Sequence, residues 1–414
     1  MSRSVWGVPK KRRSYIEVWV FLLLVCSVDF FGITPITRLV GVNGPFTFYL
    51  LSLFFMFTFN RRALIGDSIK WLTPLWWFLF GVFLSFIPAQ IYYGQSFVQS
   101  FFTYRHFFDL AAFPILIALR PNEKELRTSL FAFSVLFLLL CLIITFIAPG
   151  LIVLPEKRNL VETGDYVHVL PGVRHVFLAF IFALNRAVRK GTVNNYGWVL
   201  FLFLVLFISQ NRTSLIAALF VFLFTLLYMK MSSRKLIMIA VLIVSAVLMV
   251  VYTADQWVGL YHETVNQLNN PEYNRIKSLI YMTGRRDFLR YLLGDGFISA
   301  NVNPIIHTLQ EGGIDHSDVG LLGMWHQFGV IPVITVLVIT FMGFKPGKSF
   351  LVKASAIYIL VGALSLSYFA FGETLLFFSC YLYLFYASGS PKFQEPLSKL
   401  RRAKYYYYRS IARS

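Results

Sequence analysis

Long apolar runs, separated by short polar segments, follow one another along almost the whole chain. Several runs approach the roughly 20 residues that a helix needs to cross a lipid bilayer. The pattern predicts an all-α polytopic membrane protein with about twelve transmembrane helices. Their predicted limits are 16–34, 45–60, 71–91, 98–119, 128–149, 166–185, 195–210, 213–229, 236–254, 318–343, 354–371 and 373–388.

One polar segment is much longer than the others. It extends from Asp255 to Asp315, and His316 follows at once. The chain therefore divides into helices one to nine at 1–254, a loop at 255–317, three further helices at 318–388 and a basic tail at 389–414. No internal repeat and no separate soluble domain accompanies them.

The net charge of +19 at first suggests a protein that binds nucleic acid. The distribution of the lysines and arginines along the chain instead indicates how the protein is oriented in a membrane. If the N-terminus is cytoplasmic, the predicted inner segments hold 27 of the 38 lysines and arginines. This agrees with the positive-inside rule and with contact to anionic lipid headgroups. Both termini are then cytoplasmic, the loop at 255–317 lies outside, and nucleic acid is not an expected partner. The inner segments are 1–15, 60–70, 120–127, 186–194, 230–235, 344–353 and 389–414.

The arginines on the predicted outer side oppose this charge rule and need another explanation, and an anionic ligand is the simplest one. Arg212 lies in the turn between helices seven and eight, and Arg285 and Arg286 follow Thr283-Gly284 in the loop. A guanidinium presents a fork of donors that suits phosphate oxygens. The alternatives are a snorkelling side chain for Arg212 and solvated surface charges for the other two. Thr283 is predicted to cap a short helix from Arg285 to Leu293.

His316 stands where the chain re-enters the predicted membrane, between Asp315 and Ser317-Asp318. A neutral imidazole can take a proton from a sugar hydroxyl, and either aspartate could orient it. The alternative is an interfacial histidine with a purely structural hydrogen bond.

Three acids lie within or beside predicted spans, where ionisable residues are functional candidates by default. Glu373 and Asp29 are toward the outer side, and either could be a counter-ion to Arg105 or Arg174; the third is Asp109. All three cysteines fall in apolar spans, and the histidines lack metal-ligand spacing. We therefore expect neither a metal site nor a cofactor.

Several short motifs, in order, resemble the O-antigen polymerase and ligase superfamily. In that family a serine-arginine turn opens a span, S/T-G-R opens a helix in a large periplasmic loop, a G-x-G-F/L turn follows, and H-N-x-x-L enters the next span. The match covers about 200–345, and the rest agrees by topology alone. The matching segments are Ser209-Gln210-Asn211-Arg212-Thr213, Thr283-Gly284-Arg285, Gly294-Asp295-Gly296-Phe297, His316-Ser317, Leu321-Leu322 and Phe328-Gly329-Val330.

The resemblance implies a GT-C-like fold in the bacterial inner membrane and a metal-independent glycosyltransferase with a periplasmic active site. Its donor would be a glycan on undecaprenyl pyrophosphate and its acceptor a glycan or glycolipid; the resemblance also allows a regulator of chain length as partner. Arg212 and Arg285 would bind the pyrophosphate leaving group, and His316 would be the base. The other implied or candidate positions are Arg286, Arg174 and Arg105 as pyrophosphate ligands, and Asp315, Asp318 and Glu373 as supporting residues.

Three functions remain open at this point. The first is a polysaccharide polymerase. The family's His-Asn pair is His316-Ser317 in this chain, and residues 317–320 resemble those of the polymerases more than those of the ligases. The second is a ligase that uses the same donor but lipid A–core as acceptor. The third is a transporter of lipid-linked oligosaccharides. Transporters concentrate binding groups at mid-membrane and often show repeats, whereas these candidate residues gather at one face.

Overall fold

The structure is almost entirely helical over the residues that it describes. It is a computed structural model, and it describes residues 10–32, 44–59, 69–146, 160–163, 166–169, 172–209, 211–228, 274–284, 287–296, 298, 319–365 and 372–389, with scattered positions between 232 and 247.

The first half of the chain forms nine helical segments in the described ranges, two of them short 3-10 turns at Asp29–Gly32 and Arg105–Ala111. A β-hairpin of β1 (Leu160–Thr163) and antiparallel β2 (Tyr166–Val169) follows. The α-helices are α1 Lys10–Ser27, α2 Gly44–Phe59, α3 Ile69–Leu84, α4 Phe86–Tyr93, α5 Phe97–Thr103, α6 Ala112–Leu119 and α7 Glu123–Phe146.

The second half continues the helical architecture after the hairpin. Two short helices, α11 and α12, belong to the polar loop. The helices are α8 Val173–Lys190, α9 Val193–Ile208, α10 Arg212–Tyr228, α11 Asn274–Thr283, α12 Phe288–Leu293, α13 Gly320–Phe328, α14 Val330–Met342, α15 Phe350–Ser365 and α16 Gly372–Gly389.

Helix α8 lies at the centre of the bundle. Every residue from Val173 to Asn185 is buried, because the apolar side chains surround the whole helix rather than one face. It packs against α7, α9, α15 and α16. The N-terminal end of α8 is therefore held on all sides by neighbouring helices.

The relative directions of three central helices follow from contacts between their side chains. Helices α7 and α8 are antiparallel, since Glu123 at the start of α7 contacts Arg189 at the end of α8. Helices α8 and α16 are parallel, since Arg174 contacts Glu373 and Phe177 lies beside Phe377.

Two helical stretches of the described residues are long and apolar enough to cross a membrane, Thr73–Tyr93 and Glu123–Ile143. Phe97–Thr103 and Phe107–Leu119 would make a third if counted together, although they meet at a bend of 68°. The prediction of a helical protein with membrane-compatible helices is confirmed at this level. The count of twelve spans and the outside position of the loop stay predictions. Shorter apolar helices are Tyr15–Ser27, Val193–Ile208, Thr213–Tyr228, Val330–Met342 and Phe350–Leu364.

Some predicted boundaries are wrong. Residues 166–169 form a strand, so the sixth span begins as a helix only at Val173. Thr283 does not cap a helix that starts at Arg285: it ends α11, where its hydroxyl donates to the carbonyl of Ile280, and Asp287 precedes α12. Within its described residues, 274–284 and 287–296, the polar loop contains two short helices where the pattern predicts one.

Helices α3 and α14 are in tight contact at Gly81, which lies against the ring of Pro332. A methyl group at Gly81 would overlap that rigid ring, whereas Gly197 in α9 has open space around it. We expect Gly81→Ala to lower the free energy of unfolding by about 1–3 kcal/mol, because overpacking forces the helices apart. Titration of the purified protein with sodium dodecyl sulfate, followed by tryptophan fluorescence, measures this.

Gly197→Ala is the matched control for that experiment. It should stabilise the protein by about 0.5–1 kcal/mol, because alanine loses less backbone freedom in a helix than glycine. Equal effects of the two substitutions would contradict the close contact between α3 and α14.

Candidate functional site

A buried ion pair joins the N-terminal ends of α8 and α16. The guanidinium of Arg174 contacts the carboxylate of Glu373, and the backbone N–H of Gly172 donates to the other carboxylate oxygen. Both residues are at least nine-tenths buried. An isolated charge in such a place would be costly, so each residue requires the other. The structure thus shows the counter-ion arrangement that the sequence offered as one option for Glu373.

The pair lies well below one end of the bundle. His175, next to Arg174, packs edge-on against Phe133, and its Nε2 is 2.6 Å from the hydroxyl of Ser27 at the end of α1. Phe133 precedes the end of α7 at Phe146 by about 20 Å of helix. Arg174 therefore lies deeper inside the bundle than the C-terminal end of α7.

Tyr358 of α15 connects this ion pair to the turn that carries Arg212. Its ring stacks on Phe177 with 4.0 Å between centroids, and its hydroxyl interacts with Arg174 and lies 3.3 Å from the Ser214 hydroxyl. The Ser214 N–H donates to the side chain of Asn211, which caps α10 just before Arg212. The N-terminal turn of α10 is therefore adjacent to that of α8.

The segment that follows His316 enters the bundle at the same end. Gly320 begins α13 at a φ of +56°, packed against the carbonyls of Ala363 and Leu364 near the end of α15. A side chain at position 320 would collide with that backbone. His316 precedes Gly320 by four residues in the sequence. Gly320 in turn contacts α15 about one to two helical turns after Tyr358.

Four helix N-termini therefore converge at one end of the bundle, those of α8, α10, α13 and α16. Each helix N-terminus carries unsatisfied N–H groups and a partial positive charge. The carboxylate of Glu373, in the first turn of α16, neutralises part of that positive charge. The partial charges of these helix ends together give this part of the bundle a potential that favours an anion.

The Gly294-Asp295-Gly296 turn anchors the polar loop at the other end of α13. The N–H of Asp295 donates to the carbonyl of His326 at 2.7 Å, and that of Gly296 to the carbonyl of Gln327 at 2.9 Å. These carbonyls would otherwise be open, because α13 ends at Phe328. The turn is thus paired by main-chain hydrogen bonds to the break between α13 and α14.

Arg290 balances the buried charge of Asp295 in this turn. It donates from Nε and Nη2 to the two carboxylate oxygens at 2.6 and 2.9 Å, and from Nη2 to the hydroxyl of Tyr93 at 2.7 Å. These hydrogen bonds raise the pKa of the Arg290 guanidinium above its usual range. His326 Nδ1 lies 3.5 Å from Asp295, and its ring stacks on Tyr281. Arg290, one of the basic residues on the predicted outer side, is therefore paired with an acid of the protein rather than left for a ligand.

Of the predicted site residues, the structure brings Arg174 and Glu373 into contact. The backbone of Arg212 starts α10, and that of Arg105 starts the 3-10 turn at Arg105–Ala111. Five predicted positions lie outside the described residues: Arg285, Arg286, Asp315, His316 and Asp318. Their roles stay predictions.

Sequence reasoning missed two residues that organise the site, Tyr358 and Tyr93. Both lie in apolar helices, where a tyrosine is not distinguishable by pattern from a packing residue. Their hydroxyls gain partners from segments more than a hundred residues away in the chain. Among the described residues, no three His, Cys, Asp or Glu side chains come together as a metal site would require, and the three cysteines are buried and form no disulfide.

The Arg174–Glu373 pair yields a stability prediction. Glu373→Gln should destabilise the protein by about 3–5 kcal/mol, because it leaves a buried guanidinium without a counter-charge. The double variant Arg174→Met with Glu373→Leu should recover much of this loss, since it removes both charges. Detergent denaturation of the purified variants measures both effects.

Glu123→Gln is the control, because it breaks the exposed pair with Arg189. It should cost no more than about 1 kcal/mol, since solvent screens such a pair. A double variant that is no more stable than Glu373→Gln would show that the pair is not the source of the effect.

No protein-family model matches the chain, and no curated protein sequence matches it either. Function is therefore inferred from the motif order and from the arrangement of helix ends.

Proposed function

We propose that this chain is a membrane glycosyltransferase that transfers a glycan from undecaprenyl pyrophosphate to a lipid-linked repeat unit, as an O-antigen or polysaccharide polymerase does. The motif order around Arg212, Arg285 and His316 resembles that superfamily. The observation that carries the proposal is the convergence of the N-termini of α8, α10, α13 and α16, which join Arg212 to the segment after His316 at one end of the bundle.

The convergence suits the leaving group of this reaction. Pyrophosphate carries several negative charges, and helix N-termini supply both donors and positive potential. Charge accumulates on the pyrophosphate as the glycosidic bond breaks, so groups aimed at it stabilise the transition state. We assign Arg212 and Arg285 to this role, with Arg286 as the neighbour that can replace or assist Arg285.

The chemical step follows from these assignments. The acceptor hydroxyl oxygen attacks the anomeric carbon of the donor, and the bond from that carbon to the pyrophosphate oxygen breaks. His316 takes the hydroxyl proton, with Asp315 or Asp318 orienting its ring. Undecaprenyl pyrophosphate leaves, and the glycan is longer by one donor chain. The step needs no metal, because arginines and helix ends provide the positive charge.

Arg174 and Glu373 act in this scheme as positioning residues. Since Glu373 already balances Arg174, the pair adds little net charge for a ligand. Its contribution is to hold the N-termini of α8 and α16 together beside Tyr358. Arg105, at the start of its 3-10 turn, is the remaining candidate ligand.

Single alanine variants test the chemical assignments. Arg212→Ala, Arg285→Ala and His316→Ala should each lower the rate of glycan lengthening by about 100-fold or more, as loss of a general base or of a transition-state donor does. Purified protein and a synthetic lipid-linked repeat unit are incubated, and the products are separated by gel electrophoresis.

Arg189→Ala is the matched control, because it removes an exposed arginine whose partner is Glu123 at the opposite end of α8. It should retain near-normal activity. Normal lengthening in all three site variants would rule out the catalytic assignment.

A gene deletion separates polymerase from ligase. A polymerase deletion should leave surface lipid with a single repeat unit. Uncapped core with free lipid-linked polymer would instead identify a ligase, and a stalled intermediate in the inner leaflet would identify a transporter. The surface glycolipid banding pattern reports all three outcomes.

A further inference from the structure

A cavity of about 280 Å3 lies between α7, α8 and α9, far from the site described above. Arg186, one of its lining residues, is twelve residues after Arg174 on the same helix, which separates the two by about 18 Å. The cavity is at the end of the bundle where the predicted cytoplasmic segments 120–127 and 186–194 meet.

The polar groups that line the cavity are rich in hydrogen-bond donors. Its polar wall contains two guanidinium groups, two side-chain amides, a hydroxyl and an indole N–H, and no carboxylate. Such a set is complementary to an oxygen-rich anion rather than to a cation. The residues are Arg127, Thr128, Arg186, Asn194, Asn195 and Trp198.

Two of these donors are buried without a hydrogen-bond partner. They are Nε of Arg186 and Nδ2 of Asn195, and the Asn195 residue is only 5% exposed. A buried donor that stays unsatisfied costs free energy, so this arrangement favours a bound acceptor. Both residues line the same cavity.

The local charge also favours an anion. Arg127 and Arg186 are close enough to repel each other. The nearby acid Glu123 attracts Arg127, but its two oxygens already accept from Asn185 at 3.2 Å and from Arg189 at 3.0 Å. An anion between the two guanidinium groups would remove the repulsion.

The start of α9 adds positive potential to this wall. Asn194 and Asn195 lie in the first turn of α9, and Thr192, at the N-cap position, makes no side-chain capping bond. The first N–H groups of a helix lack partners within it and attract negative charge. The positive end of α9 is therefore directed toward the cavity.

An apolar wall flanks the donors. Phe131 and Trp198 stack with 4.4 Å between centroids at the cavity, and Val193 beside it is 88% exposed. A ligand with both a phosphate and an acyl portion would match both kinds of wall. The inner leaflet of a bacterial membrane offers such ligands to basic clusters at helix ends.

We propose that this cavity binds the phosphate of an anionic phospholipid headgroup. The chemistry it recognises is a phosphate group, which a free phosphate ion would also present. The proposal does not depend on the glycosyltransferase assignment, because the two sites share no residue.

Lipid titration of the delipidated full-length protein, observed by native mass spectrometry, tests this. Wild type should bind phosphatidylglycerol at least ten-fold more tightly than phosphatidylcholine. Arg127→Gln with Arg186→Gln should bind phosphatidylglycerol at least ten-fold more weakly than wild type. The matched control Lys124→Gln with Lys190→Gln removes two exposed charges from the same end and should keep wild-type affinity.

Asn195→Asp is a second, nearly isosteric variant that protects the test against misfolding. It places a negative charge from the protein itself in the cavity that Arg127 and Arg186 line, so the variant should fold well and lose phosphatidylglycerol binding. Inorganic phosphate is the competitor. If millimolar phosphate competes and the wild type does not prefer phosphatidylglycerol over phosphatidylcholine, the cavity is a phosphate site whose ligand is a soluble phosphate and not a lipid headgroup. Unchanged phosphatidylglycerol binding in both the arginine and Asn195→Asp variants, or equal loss in the lysine control, would overturn the proposal.

Discussion

The ion pair between Arg174 and Glu373 is the interaction on which one whole end of the bundle depends. Neither charge can be buried among apolar helices alone, so the pair fixes α8 and α16 in one relative position. Apolar packing between membrane helices is less selective, since lipid is as apolar as the side chains. Tyr358 extends the constraint to α15 and to the start of α10. The Arg174–Glu373 ion pair, acting through Tyr358, therefore helps to fix the position of the turn that carries Arg212.

The two ends of α8 have different electrostatic character. At the Arg174 end, positive potential comes mainly from the helix N-termini, because Glu373 neutralises the charge of Arg174. At the other end, Arg127 and Arg186 line an open cavity, and the one acid that neighbours Arg127 is already engaged. This difference fits the two proposals, in which the first arrangement meets a transient polyanion and the second a resident one.

How much of this could be predicted from the sequence depends on the range of the interactions. The apolar runs predict most helices correctly, because burial in lipid acts along a single helix. Arg174 and Glu373 stand out as charges within such runs, yet 199 residues separate them, so their pairing needs the fold. The break at Gly329 depends on a partner turn at Asp295, and the strand at 166–169 depends on its hairpin partner. Thr283 was wrongly predicted as a cap because it fits the pattern equally well at the end of α11.

The proposed reaction releases undecaprenyl pyrophosphate when the glycan is transferred, without help from a metal. The most direct measurement incubates the purified protein with an undecaprenyl-pyrophosphate-linked repeat unit in excess chelator and analyses the lipids and glycans by mass spectrometry. The account predicts longer lipid-linked glycans together with one free undecaprenyl pyrophosphate for each new linkage. Intact donor with no free undecaprenyl pyrophosphate, under conditions in which the protein remains folded and binds the donor, would contradict it.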